Sequence, residues 1–149
     1  MTLSAQDLAD LQQLAARYWA LADLTETVPL SELFEADAVF DLGRLQLKGL
    51  PALETFFADR AREMQASGRT TRHLATNFMA LPNGSEAARV RSTVAVYAGN
   101  GELPLEAQAP SGIADFEDVC RRQADGSWRY QRRIARTVFV GPNAASFAR

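Results

Sequence analysis

Apolar residues recur at helical spacing in the first quarter of the chain. Between Ser4 and about Leu24 they form one stripe, at Leu8, Leu11, Leu14, Tyr18 and Leu21. A period of three to four residues is typical of an amphipathic helix that buries one face. Ser4 is a suitable N-cap, and Asp7 places a negative charge in the first turn, where the helix dipole favours it. The pattern therefore predicts a first helix over residues 4–24.

Two further helices are predicted before residue 70. Pro29 is tolerated in a first helical turn and opens a short helix over residues 28–34. A longer helix runs from Gly49 to about Ala66 and ends at Gly68, a residue type common just past helix ends. Between them, residues 38–42 and 44–48 alternate around a glycine, which indicates a small hairpin.

From residue 70 onward, apolar and polar residues alternate as they do in β-strands. Strands are predicted over residues 70–81, 87–97, 114–122 and 128–140, and the turn signals between them favour an antiparallel meander. Helices followed by a long antiparallel sheet indicate the α+β class. Because long strands twist and curl, we expect a cone-shaped barrel: a curved antiparallel sheet covered by three N-terminal helices. Such a shape favours an apolar cavity between helices and sheet.

Composition narrows the range of functions. The 149 residues are predicted to form one domain over 1–149. A formal net charge of −2 argues against a nucleic-acid partner, and the arginines between 129 and 136 are interpreted as a solvated sheet face. No apolar run approaches the ~20 residues of a membrane span, and the N-terminus lacks a signal-peptide pattern, so we expect a cytoplasmic protein without a membrane partner. The single cysteine, Cys120, excludes an internal disulfide, and no Cys/His cluster predicts a metal site.

Two residues stand out as candidates for chemistry. His73 is the only histidine, in a segment that alternates like a strand. Histidine side chains ordinarily titrate near neutral pH and can transfer protons there; the alternative is a surface residue or a satisfied polar group in the core. Asp23 lies near the end of the first helix, where the helix dipole disfavours negative charge. A carboxylate at this position is therefore a candidate for a functional role. The alternative is a solvated carboxylate that accepts a hydrogen bond from a backbone amide.

Five short segments, taken in order and spacing, carry a family resemblance. They are Tyr18 to Asp23, Leu33 to Ala38, Leu47 to Gly49, Arg72 to Asn77, and Asp125 to Trp128. The chain resembles the nuclear transport factor 2-like superfamily and, within it, the SnoaL-like group that contains scytalone dehydratase, hexachlorocyclohexane dehydrochlorinase and bile-acid 7α-dehydratase. The resemblance implies a catalytic dyad of Asp23 and His73. In such a dyad the carboxylate fixes the imidazole tautomer and stabilises the imidazolium formed on proton abstraction.

Four more residues are candidates for substrate binding. Asn77 follows His73 by four residues, on the same predicted strand face, and either donates a hydrogen bond to a carbonyl or satisfies a backbone group. Tyr18 and Trp19 either line the cavity or belong to the core. Arg136 matches a place where related sequences often carry a basic residue, with a solvated strand face as the alternative. Core positions are predicted for Tyr97, Phe116, Tyr130 and Phe139, and Cys120 is interpreted as a packing residue.

The sequence therefore predicts a cofactor-independent lyase or isomerase that acts on a small hydrophobic cyclic molecule. His73 removes the proton and Asp23 orients the imidazole. A departure from scytalone dehydratase is that Phe40 and Leu42 offer no hydroxyl in place of its water-holding tyrosines. Two alternatives stay open: a non-catalytic ligand-binding or assembly module, such as the β subunits of ring-hydroxylating dioxygenases, and a polyketide cyclase. The resemblance also implies a homo-oligomer, either a dimer or a trimer.

Overall fold

The structure, a computed structural model, describes residues 2–148. Its three α-helices are α1 (Ala5–Ala22), α2 (Leu30–Leu33) and α3 (Leu50–Ser67). The predicted N-cap of α1 is confirmed, because the Ser4 hydroxyl accepts from the Asp7 backbone N–H and the Asp7 carboxylate accepts from the Ser4 backbone N–H. Gly68 ends α3 in the left-handed conformation that glycine adopts most readily, with φ of 62°. No helix in this range is long and apolar enough to cross a membrane.

Six strands form one mixed sheet. They are β1 (Phe34–Asp41), β2 (Gln46–Lys48), β3 (Arg69–Pro82), β4 (Ala87–Asn100), β5 (Gly112–Arg122) and β6 (Trp128–Val140). Their order across the sheet is β2-β1-β6-β5-β4-β3. Strands β3 to β6 pair as the predicted antiparallel meander. A short 3₁₀ helix over Ser146–Ala148 follows the last strand.

The sheet departs from a wholly antiparallel arrangement at one pair, since β1 runs parallel to β6. Helix α3 and four strands separate these two in the chain, so no tight turn dictates their relative direction. The sheet is also open, with β2 and β3 at its two edges. The α+β class, with a curved sheet covered by helices, is confirmed in this open, mixed form.

The core lies between the helices and one face of the sheet. Helix α1 contributes Leu11, Leu14 and Tyr18, and the strands contribute side chains at alternate positions, such as Phe116 and Cys120 on β5. Burial raises the pKa of the Cys120 thiol well above its ordinary value, which suits the packing role predicted for it.

Three predictions about the sheet are wrong. Tyr97 and Phe139, expected in the core, are 42% and 64% exposed because they lie on the face that the helices do not cover. Arg133, interpreted as solvated, is only 1% exposed. The register between β5 and β6 shifts at Gln131, which adds one residue to β6 and resets its alternation. Consequently Arg133, and not its neighbour Arg132, points into the core.

Candidate active site

Helix α1 delivers Asp23 to the site. The helix ends at Ala22, and Asp23 is its C-cap residue, with a side chain that is buried. The helix dipole disfavours a carboxylate at this end, so other groups must stabilise the charge. Strand β3 supplies them.

Three donors from β3 converge on the Asp23 carboxylate. His73 Nδ1 lies 2.6 Å from Oδ1, the His73 backbone N–H donates to Oδ2 at 2.9 Å, and the Thr71 hydroxyl donates to Oδ1 at 2.8 Å. Thr71 and His73 reach the same carboxylate because residues two apart on a strand share a face. Burial opposes ionisation of Asp23, but the hydrogen bonds from His73 and Thr71 outweigh it and hold the pKa of this carboxyl below its ordinary value. The predicted pair of Asp23 and His73 is thus in direct contact.

The contact determines which imidazole nitrogen remains for a substrate. Since an ionised carboxylate only accepts hydrogen bonds, Nδ1 carries the hydrogen toward Asp23 and the neutral ring has its lone pair on Nε2. Nε2 has no hydrogen-bond partner among residues 2–148. The ring also stacks on the Trp19 indole, with centroids 4.4 Å apart and planes 18° from parallel. The imidazole is therefore held from two sides.

His73 lines an apolar cavity of about 110 Å³ between the helices and the sheet. Most of its wall is aromatic or aliphatic, including Tyr18, Trp19, Phe57 and Phe116. An outer cavity of about 1100 Å³ adjoins this inner one, and both are lined by His73. Phe147 of the C-terminal 3₁₀ helix lines both cavities as well and packs edge-on against Phe56, which closes one side of the opening.

Of the four predicted substrate-binding residues, two line the inner cavity and two do not. Tyr18 and Trp19 belong to the core and also line the inner cavity, so both interpretations apply to them. Asn77 does not line this cavity: it is exposed, with a left-handed φ of 53°, at a bulge that breaks the period-two alternation after Thr76. Arg136 is exposed too and pairs across the sheet with Asp115, away from the cavity. The solvated alternative is the right one for Arg136.

Two site residues were missed by the sequence-based predictions. Arg60 of α3, which is not among the predicted site residues, lines both the inner and the outer cavity. Its spacing of four residues from Phe56 and three from Phe57 places it on the same helical face as these aromatic residues, and that signal was available. Thr71 could also have been found, because it precedes His73 by two residues on one strand face.

A buried ion pair lies behind the aromatic wall. The Arg133 guanidinium carbon is 4.0 Å from the centre of the Tyr18 ring and 5.0 Å from that of Trp19. Arg133 Nη1 donates to Asp118 Oδ2 at 3.3 Å, and both side chains are almost fully buried. The pair therefore supports two residues of the cavity wall from the core side.

Across residues 2–148, no three His, Cys, Asp or Glu side chains come together in a way that would hold a metal ion.

A family profile described as the SnoaL-like domain matches residues 4–134. The chain belongs to the SnoaL-like family. This membership confirms the predicted resemblance, and the matched region of this SnoaL-like protein contains both Asp23 and His73. No curated protein matches the chain.

Solved structures with the same fold include three that cover most of the SnoaL-like chain. One, from Nostoc punctiforme, is described as a protein of unknown function with a cystatin-like fold; it is 22% identical, with 97% of this chain and 98% of that one covered and a TM-score of 0.70. A candidate scytalone dehydratase from Novosphingobium aromaticivorans is 19% identical, with 93% and 89% covered and a TM-score of 0.73. ActVI-ORFA from Streptomyces coelicolor is 14% identical, with 87% and 96% covered and a TM-score of 0.74. At these identities the likeness shows the fold alone.

Proposed function

We propose that this SnoaL-like protein is a cofactor-independent lyase or isomerase, in which His73 removes a proton from a small hydrophobic cyclic substrate. The observation that carries the proposal is the 2.6 Å contact between His73 Nδ1 and Asp23 Oδ1 beside an apolar cavity. A neutral imidazole is a competent general base near pH 7. The name of one structure with the same fold, a candidate scytalone dehydratase, is consistent with this reaction class.

The reaction begins when the lone pair of Nε2 takes a proton from a substrate carbon. This carbon lies next to a carbonyl, or next to the carbon that bears a leaving group. The electrons of the broken C–H bond form an enolate or a new C=C bond as the leaving group departs. The proton then returns to another carbon in an isomerase, or passes to the leaving group or to solvent in a lyase. At each stage Asp23 keeps the hydrogen on Nδ1 and faces the imidazolium with a negative charge.

The surroundings of the dyad favour this step. An apolar wall excludes water, and the low dielectric of such a site strengthens the attraction between imidazolium and carboxylate. The Trp19 ring, stacked on the imidazole, offers its π face to the cation that forms. Tyr18 and Trp19 also line the inner cavity and make this part of its wall apolar.

The test compares His73→Ala and Asp23→Asn with the parent on a panel of small cyclic ketones and β-hydroxy ketones in D₂O. Proton abstraction is followed by NMR as exchange of the hydrogens next to the carbonyl, and elimination as ultraviolet absorbance of the conjugated product. Loss of the base is expected to lower both rates by about 10²- to 10⁴-fold.

Asn77→Ala is the matched control, because Asn77 lies on the same strand and is exposed. It is expected to exchange at the parental rate. Circular dichroism and thermal melting establish that each variant folds. If His73→Ala, folded like the parent, exchanges at the parental rate, the dyad is not the catalytic group.

A further inference from the structure

Arg60 places a positive charge where the two cavities meet. It is a partly buried residue of α3 that lines both the inner and the outer cavity, as does His73. A molecule that passes from the outer into the inner cavity therefore lies against both residues. Apart from His73, every other residue lining the inner cavity is uncharged.

The Arg60 guanidinium has few partners inside the protein. Its Nη1 donates to the backbone carbonyl of Ala22, the last residue of α1. Within residues 2–148, no carboxylate lies within 4.0 Å of it in an ion pair. Two acidic groups act on its charge: Tyr18 is buried in the core, and Asp23 has both oxygens engaged with Thr71 and His73. Since a guanidinium has five N–H donors, most of its hydrogen-bonding capacity remains for a ligand.

The positive charge of Arg60 lies in a partly buried place, where desolvation makes it energetically unfavourable. Burial lowers the pKa of Arg60, the direction expected for a cation that the protein compensates only in part. An uncompensated charge in a desolvated site is unfavourable, and an incoming anion relieves it.

Other charges around the outer cavity do not oppose an anion. Its wall carries the arginines Arg44 and Arg69 besides Arg60, and the carboxylates Asp59 and Glu63. Asp59 is already paired with Arg62 on the same helix. The surroundings of Arg60 are thus slightly positive.

From this geometry we propose that Arg60 binds an anionic oxygen of the substrate, so that the substrate class is a cyclic apolar acid. The ring lies in the inner cavity beside His73, and a carboxylate or similarly acidic oxygen lies at the junction of the two cavities. An inner volume near 110 Å³ is smaller than the apolar cavity of about 150 Å³ that accepts benzene, so the ligand is limited to a single ring that extends partly into the outer cavity. The assignment of this ligand as substrate rests on the proposed function, whereas its binding at Arg60 does not.

Binding of unreactive probes tests the proposal without any turnover. The probes are benzoate and cyclohexanecarboxylate, each paired with its uncharged amide, and affinities are measured by isothermal titration calorimetry. Charge-assisted hydrogen bonds are roughly twice as strong as neutral ones, so the parent is expected to prefer each carboxylate over its amide by about 10-fold. Arg60→Gln is expected to weaken carboxylate binding by about 10- to 100-fold and to leave amide binding nearly unchanged.

Two further variants separate charge from structure. Arg60→Lys keeps the positive charge and is expected to retain the carboxylate preference. Arg91→Gln removes an exposed charge from β4, away from both cavities, and is expected to bind like the parent. Thermal melting identifies any loss of stability caused by the lost contact between α3 and the end of α1.

The proposal is overturned if the parent shows no carboxylate preference, including the case in which neither member of a pair binds. It is also overturned if Arg60→Gln weakens acid and amide equally, since Arg60 would then only hold α3 to α1. Failure of the proposed function alone gives a different result. In that case His73→Ala exchanges at the parental rate, whereas the parent still prefers carboxylates and Arg60→Gln still loses this preference.

Discussion

At the scale of single residues, Thr71 helps to fix the position and the charge of the Asp23 carboxylate in the dyad. Its hydroxyl donates to Asp23 Oδ1 at 2.8 Å, the oxygen that also faces His73 Nδ1. Because Thr71 lies behind the carboxylate and does not line the inner cavity, it is a positioning residue. A valine of the same shape removes the donor and leaves the packing intact.

We predict that Thr71→Val lowers the free energy of unfolding by about 1.5–3 kcal/mol at pH 7, the usual worth of a hydrogen bond to a charged group. The depressed pKa of Asp23 gives stability that is present above the unfolded value of 3.8 and is lost as pH falls through the folded pKa. The deficit of the variant should therefore be largest near neutrality and shrink below about pH 4. Urea unfolding across this range measures it, with Thr70→Val as control. A deficit that does not change with pH would show that the hydroxyl does not act on the Asp23 charge.

The buried pair of Asp118 and Arg133 gives a pH dependence of opposite sign. Burial raises the pKa of Asp118 to about 6 even though Arg133 opposes the shift, and Oδ1 has no hydrogen-bond partner in the described part of the chain. A carboxyl with a raised folded pKa contributes stability that is full below its unfolded pKa of 3.8 and is lost as pH rises through the folded value. Removing the arginine raises the folded pKa further.

Accordingly, Arg133→Met is expected to cost about 3–5 kcal/mol relative to the parent at pH 8 and clearly less at pH 5, where Asp118 can be neutral. Unfolding in urea at the two pH values provides the comparison. In Arg133→Met/Asp118→Asn the buried charge is gone, so this double variant should recover stability at pH 8. Equal costs at both pH values, or no recovery, would mean that lost packing and not an unpaired carboxylate dominates.

At the scale of elements, α1 has a structural end and a functional end. The capping box of Ser4 and Asp7 starts the helix, and Arg122 at the end of β5 donates to Asp7 at 2.7 Å. Trp19 and Asp23 lie at the opposite end, where the site is. The two ends can therefore be tested independently.

Ser4→Ala is predicted to destabilise the protein by about 1 kcal/mol, because the backbone N–H of Asp7 loses its acceptor. The affinity for benzoate should stay at the parental value, since the change is remote from the cavity. Thermal unfolding and calorimetry measure the two quantities, and Ser85→Ala in the exposed turn between β3 and β4 is the control. An altered affinity would show that the two ends of α1 are coupled.

The spacing of apolar residues predicts a helix or strand well where that element is regular. It fails where a bulge in the pairing between two strands shifts which residues face the core. The stripe of α1 and the alternation of β5 were readable because each has one buried face. The bulges at Gln131 and near Asn77 are set by register with a neighbouring strand, which local sequence does not reveal. For that reason the period of two placed Asn77 on the face of His73, whereas the structure leaves it in solvent. Arg136 was suggested by the resemblance, and it is exposed while Arg133 is buried. His73 and Asp23 were identifiable because His73 is the only histidine and both residues belong to segments that carry the family resemblance.

At the scale of the whole molecule, the face of the sheet opposite the cavity remains partly apolar. His73, Val96 and Gly112 lie in one row across β3, β4 and β5 and line the cavities. The next row across the sheet consists of Leu74, Ala95, Ile113 and Phe139; Ile113 still lines the inner cavity, at a register shift between β5 and β6. Leu74 and Phe139 in that row are 50% and 64% exposed. Apolar patches of this kind commonly mark protein–protein contacts.

We therefore predict that the protein forms a homo-oligomer, a dimer or a trimer, through this face. Light scattering coupled to size-exclusion chromatography should give a mass above that of one chain. Phe139→Arg places a charge in the apolar row and should shift the population toward the monomer, because burying an unpaired charge at an interface is unfavourable. Ser85→Arg adds the same charge in a turn outside the sheet and should leave the mass unchanged. A parent that elutes as a monomer at every concentration would contradict the prediction, and a Phe139→Arg variant that stays oligomeric would move the contact to another surface.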